Sequence, residues 1–112
     1  MKYRWAAMYS AVLSFAAFLF LFSVPSQAQS GPASLFKTNC AECHGKDGGG
    51  NTALGRSLKL HDLRSPDVQK RTDADLTDLI TNGLATMPAF KDKLTKDQIQ
   101  QVVAYIRQIA NK

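Results

Sequence analysis

The chain reads as an all-α domain with long loops, and three observations point there. No stretch alternates apolar and polar residues as a half-buried strand does. The C-terminal segment instead sets Ile99, Val102, Val103, Ile106, Ile109 and Ala110 on one helical stripe. Between the helical stretches lie a glycine tract, Gly45 to Gly55, and a loop around Pro88, both rich in residues that break regular structure.

The chain opens with Lys2 and Arg4, followed by an uncharged run from Ala6 to Val24. A basic start, an apolar run and the small-x-small triplet Ser26-Gln27-Ala28 describe an export signal spanning 1–28, with the mature chain beginning at Gln29. The run over 6–24 is long for a signal and close to the length that spans a bilayer, so an uncleaved membrane tether is the alternative. Either way, residues 29–112 form one domain outside the cytoplasm, periplasmic and either free or anchored. No repeat or long linker divides them.

Within that domain the first helix is capped by Ser30 or Gly31, has Pro32 in its first turn, carries Leu35 and Phe36, and bears Cys40 to His44 at its end. Gly45 to Gly55 is loop throughout, and the lack of a Lys-Ser/Thr pair after Gly48-Gly49-Gly50 excludes a phosphate loop. Ser65-Pro66-Asp67 starts a short helix through Lys70. Thr72 to Asp75 opens another, with Leu76, Leu79 and Ile80 on its buried face and Gly83 at its end. Thr95 and Gln98 form a capping box for the last helix, where Leu94 packs on Ile99 as a staple. The expected count is three to five short helices.

The only two cysteines stand in Cys40-Ala41-Glu42-Cys43-His44. On a helix, positions i, i+3 and i+4 share a face, so both thiols and the imidazole can point together, and the pattern reads as attachment of a c-type haem. Other readings compete. Thioredoxin-like chemistry needs a preceding strand, which is missing here. A zinc site would have to recruit His61 to two adjacent ligands, and a plain disulfide or two unrelated thiols would leave His44 a chance neighbour.

Size and charge bear on the choice. Residues 29–112 carry 12 basic and 9 acidic side chains, or +3, because Lys2 and Arg4 belong to the signal. Haem propionates would lower the balance further, and nucleic-acid binding finds no support in it. Lys37, Lys46, Lys91 and Lys93 could form a patch for an acidic redox partner, though scattered solvated lysines are the plainer reading. So small a domain needs a staple, and a large apolar macrocycle would serve as one.

Beyond the signal there is one methionine, Met87, in Thr86-Met87-Pro88-Ala89-Phe90. Pro88 holds it away from helical geometry, and no apolar stripe requires it there. A thioether opposite His44 would complete a six-coordinate iron of the electron-transfer kind. His61 is the rival sixth ligand, and an ordinary surface histidine is its plainer role. Leu54, Leu58, Leu63, Leu79, Ile80, Leu84, Phe90 and Val103 are candidates for an apolar shell.

Taken in order, Leu35-Phe36, Cys40-x-x-Cys43-His44-Gly45, the glycine loop, Gly83 before Met87-Pro88-Ala89-Phe90, and Tyr105-Ile106-Arg107 resemble a class I cytochrome c of the small bacterial periplasmic kind. The resemblance covers nearly all of residues 29–112. It implies a cytochrome c fold around one covalent haem, thioether bonds at Cys40 and Cys43, His44 and Met87 as axial ligands, and Phe36 against the last helix near Tyr105. It also implies a monomeric electron carrier between donor and acceptor proteins, not an enzyme. The longer mitochondrial type has a proline soon after the histidine whose carbonyl meets the imidazole, and this chain lacks it. Two other functions stay open: a haem enzyme or gas sensor with a displaceable sixth ligand, and a non-haem Cys-x-x-Cys module.

Overall fold

One cluster of buried apolar side chains joins the two ends of the domain. The computed structural model describes residues 30–112; the expected signal over 1–28 and tether over 6–24 lie outside them. Among these described residues six helices follow in order: α1 (Pro32–Asn39), α2 (Ala41–His44), α3 (Ala53–Ser57), α4 (Pro66–Gln69), α5 (Asp73–Asn82) and α6 (Lys96–Ile109). Among the described residues the sole β pairing is an isolated bridge between Leu84 and Met87, and no helix is long and apolar enough to cross a membrane.

Helix α6 forms where its stripe dictates, with Ile99, Val102, Val103, Ile106 and Ile109 all buried. Thr95 and Gln98 make the expected capping box, and Leu94 is buried beside Ile99 in the same apolar cluster. Helix α1 crosses this stripe. Its Phe36 is 1% exposed, and the ring lies 5.1 Å from that of Tyr105 at 48°, worth about 2–3 kcal/mol in buried apolar surface. Helix α5, opened by a Thr72–Asp75 capping box, adds Leu76 and Ile80.

Arg107 ties the helices together from outside the core. Its guanidinium donates to Asp73 Oδ1 at 2.9 and 2.8 Å, to the Gln69 carbonyl at 3.0 Å and to the Arg71 carbonyl. The turn between α4 and α5 is thereby clamped onto α6. Carbonyls at that turn find partners in a charged side chain because no regular element is there to supply them.

Two details depart from the sequence reading. The attachment motif does not ride the end of one helix: Cys40, with φ −122°, separates α1 from the single turn α2. The intramotif bonds survive the break, His44 N–H donating to the Cys40 carbonyl at 2.9 Å, so the helical spacing of the three residues is kept. The glycine tract also ends earlier than expected, since Ala53–Ser57 is helical. Thr52 caps it by accepting from Gly55 N–H at 2.8 Å, and an apparently loop-forming Gly55 sits inside it.

Candidate functional site

Two segments distant in sequence form the walls of one cleft, and each wall is shaped by backbone hydrogen bonds. On the first, the chain after His44 turns back on α2. Gly50 N–H donates to the His44 carbonyl at 2.7 Å, and the Thr52 hydroxyl donates to the Cys43 carbonyl at 2.8 Å. Gly55 packs beneath them so closely that a Cβ would lie 2.1 Å from the Gly50 carbonyl oxygen and 2.6 Å from that of Cys43. Only glycine fits, which explains a helix that propensity alone argues against. Helix α3 then ends with Lys59 N–H on the Arg56 carbonyl and Leu60 N–H on the Gly55 carbonyl, at 3.2 and 2.9 Å. That is the Schellman pattern, with Lys59 at φ 52° where glycine is usual. It delivers Leu60 to the cleft.

The second wall is the chain between α5 and α6. Gly83, at φ 76°, ends α5, and a Cβ there would meet the Met87 carbonyl oxygen at 2.6 Å and Ala89 N at 2.8 Å. Leu84 and Met87 exchange backbone bonds of 3.1 and 2.9 Å around Ala85, whose φ is 52°. Phe90 N–H then returns to the Ile80 carbonyl at 3.0 Å and Lys91 N–H to that of Thr81 at 3.2 Å. The last carbonyls of α5 are thus satisfied by the loop that presents Met87.

Cys40, Cys43 and His44 on one side and Met87 on the other line this cleft together, with Leu58, Leu60, Pro88 and Phe90 as apolar lining and Asn39, Glu42, Thr86 and Lys93 as polar lining. His61 is exposed and does not line it. Of the proposed apolar shell, Leu58 and Phe90 reach the cleft, whereas Ile80 and Val103 belong to the helical core. Leu63 packs against that core, Leu79 is half-buried, and Leu54 and Leu84 are exposed without reaching the cleft. Leu60 and Pro88 were missed: a lone leucine after a left-handed lysine has no periodicity to betray it.

Burial, with Cys43 adding a smaller effect, pushes the Cys40 thiol up to about 11, so it stays protonated at neutral pH. Burial also lowers the His44 imidazole below its ordinary value, leaving it neutral and able to offer a nitrogen lone pair. Its Nδ1 is buried without a hydrogen-bond partner among the described residues, in keeping with the missing proline. The donor set suits a porphyrin iron: two free thiols, a neutral imidazole and a thioether share one largely apolar cleft. A tetrahedral metal finds no such set, since no cluster of three or more His, Cys, Asp or Glu is present among the described residues.

A Cys-x-x-Cys-His turn facing a methionine loop across an apolar cleft defines a c-type cytochrome. Comparison with known proteins agrees. A family profile described as "Cytochrome C oxidase, cbb3-type, subunit III" matches residues 27–106. Cytochrome c6 of Leptolyngbya boryana is 40% identical over 78 residues, covering 70% of this chain and 88% of that protein. The cbb3-type cytochrome c oxidase subunit FixP of Sinorhizobium medicae is 33% identical over 90 residues, 70% of this chain but 29% of FixP. Among solved structures, the c-type cytochrome KustC0563 superposes with a TM-score of 0.64 at 30% identity, over 70% of this chain and 96% of that one. The chain belongs to the cytochrome c family, as a small class I member with one covalently bound haem c. It is an electron carrier and not an enzyme.

Proposed function

We propose that Cys40 and Cys43 hold the haem by thioether bonds, that His44 and Met87 are its axial ligands, and that the protein works outside the cytoplasm as a single-domain monomeric carrier. The observation that carries this reading is the convergence of those four side chains on one cleft from two walls. When bound, haem c supplies a one-electron Fe(III)/Fe(II) couple.

The chain's residues do the rest. Cys40 and Cys43, both free thiols, would hold the haem through thioether bonds to its two vinyl groups. The turn of α2 sets His44 on the same side as those two anchors. The Leu84–Met87 bridge and Pro88 hold Met87 on the wall across from His44, where its thioether would complete the iron's ligand set. A soft thioether favours Fe(II) and raises the potential relative to a second imidazole. Leu58, Leu60 and Phe90 would give the ring an apolar lining.

Met87→Ala tests the ligand set. The variant should lose the methionine-to-ferric-iron charge-transfer band, bind carbon monoxide readily and show a lower potential, with haem still attached after denaturation. An unchanged band would remove Met87 from the iron. The address is tested by sequencing the N-terminus of the periplasmic protein, expected at Gln29; recovery with the membrane fraction and residues 6–24 intact would instead make the export segment a tether.

A further inference from the structure

The chain's asparagines are Asn39, Asn51, Asn82 and Asn111, and only Asn82 is followed by glycine. Asn82-Gly83 closes α5 and is the point from which the Met87 wall departs. An asparagine side chain can cyclise onto the next backbone nitrogen, and glycine, with no Cβ to shield that nitrogen, hinders the attack least.

In α5 both reacting groups are engaged elsewhere. The Asn82 side-chain amide donates one turn back to Asp78 Oδ1 at 2.7 Å, and Gly83 N–H donates to the Leu79 carbonyl at 2.8 Å. Asn82 is nevertheless exposed, and it stands in the last turn, where helices fray. Opening of that single turn frees both groups together.

We propose that Asn82-Gly83 is a site of covalent modification, at which the asparagine cyclises onto Gly83 and reopens as a carboxylate, and that the last turn of α5 holds the site latent. The Gly83 nitrogen attacks Asn82 Cγ. The N–Cγ bond forms, the Cγ–Nδ2 bond breaks, and the leaving amino group departs as ammonia with the proton from the Gly83 nitrogen. Water then adds to either carbonyl of the ring. Opening at Cγ leaves aspartate at position 82; opening at the main-chain carbonyl leaves isoaspartate, whose backbone runs through the former side chain and is one carbon longer. Nothing is oxidised or reduced.

Either product loosens the Met87 wall. A carboxylate at position 82 meets that of Asp78 where an amide had donated to it, and it places negative charge at the C-terminal end of a helix. Isoaspartate does more. Gly83 is packed so closely that a Cβ would lie 2.6 Å from the Met87 carbonyl oxygen and 2.8 Å from Ala89 N, and a lengthened backbone displaces it from that position. The paired bonds between Leu84 and Met87 start at the next residue, so the change reaches the methionine loop first. The inference rests on the backbone of residues 78–89 and holds whichever group binds the iron.

The test is timed incubation of the haem-loaded protein in mildly alkaline buffer, native and in urea, for wild type, Asp78→Ala and Asn82→Gln, with peptide mass mapping and an isoaspartate assay at position 82. Native wild type should convert about tenfold more slowly than the protein in urea, because two hydrogen bonds must open first. Asp78→Ala should convert about fivefold faster than wild type when native and at the wild-type rate in urea. Asn82→Gln, whose ring would be larger by one member, should stay unmodified. Hydrogen exchange at Met87 N–H should be about threefold to tenfold faster in the converted fraction, and also in Asn82→Asp, which installs the aspartyl product without ageing. No conversion of the native protein over the time that completes it in urea would remove the site. Equal rates in the two conditions, or an Asp78→Ala rate no faster than wild type, would remove the latch. Unchanged exchange at Met87 in the converted fraction would remove the effect on the wall, and any one of these results overturns the proposal.

Discussion

The two walls of the cleft are built on opposite principles. The wall that carries Cys40, Cys43 and His44 is tied to its supporting loop at three successive points. They are Gly50 N–H on the His44 carbonyl, Thr52 on the Cys43 carbonyl, and Gly55 packed beneath both. The Met87 wall is an arch, fixed at its feet by Gly83 and Phe90 and crossed by one small bridge around a left-handed Ala85. In the proposed reading the first wall holds the two thioethers and needs no freedom. The second would carry a ligand joined only by coordination, on a loop exposed at 84–86 and 88–89, the sort of segment that opens locally at low cost. The difference teaches that the two walls are held by separate contacts, and that the methionine side should yield first under heat, denaturant or mutation.

The largest disturbance should come from below both walls. Phe36→Ala empties the contact between α1 and α6. It should cost about 3–5 kcal/mol, read as a lower denaturation midpoint of the haem-loaded protein. A loss under about 1 kcal/mol would mean that haem alone organises the fold.

The next two substitutions set the walls against each other with the same added methyl group. Gly55→Ala drives a Cβ into two carbonyl oxygens and should cost about 3 kcal/mol, with reduced yield of covalently attached haem and the methionine band intact in what matures. Gly83→Ala strains a residue at φ 76° and collides with the Met87 carbonyl. About 2 kcal/mol should be lost, with attached haem at wild-type yield and the band weakened. Identical spectra for the two variants would break the separation of the walls.

Thr52→Val removes the hydroxyl that donates to Cys43 and caps α3. A loss of about 1–2 kcal/mol is expected in chemical denaturation, confined to global stability because the other two ties remain. In the opposite direction, Lys59→Gly and Ala85→Gly each relieve a left-handed backbone and should gain about 0.5–1 kcal/mol. Hydrogen exchange distinguishes them: Ala85→Gly should slow exchange at Met87 N–H, while Lys59→Gly should slow it at Leu60 N–H.

The smallest effect concerns acid. Hydrogen bonding from Arg64 holds the Asp62 carboxylate below its usual range, and the same guanidinium reaches Asp47 in the glycine loop at 3.2 Å. The carboxylate is depressed in the folded state, so its contribution is present above the ordinary aspartate pKa and is lost as pH falls through the folded value. These groups are largely exposed, so Asp62→Asn should flatten the acid limb of the stability curve by about 0.5 kcal/mol or less.

Much of this was legible in the chain. The stripe from Ile99 to Ile109 and the two capping boxes depend on side chains within a few positions of one another, and local rules find such patterns. The attachment motif was legible for the same reason. Helix α3 was not, because five of its neighbours are glycine or polar and its reason for existing is the contact of Gly55 with Cys43 and Gly50. Leu60 and Lys93 were invisible as cleft residues for a related reason: their places depend on where a Schellman turn and a buried Phe90 aim them.

By itself, then, the sequence determined an all-α class, the elements α4, α5 and α6, a Cys40-x-x-Cys43-His44 motif, and a methionine with no place in any stripe. Tertiary structure decided that Met87 faces them across one cleft, that His61 does not, and that Lys93 stands at its wall without an ion pair among the described residues. The physical reason is range. Hydrophobic period and capping act over one or two helical turns, whereas the meeting of residues 40–44 with residue 87 requires the chain to fold back through α5. That return is set by glycine contacts and carbonyl partners that no local pattern records.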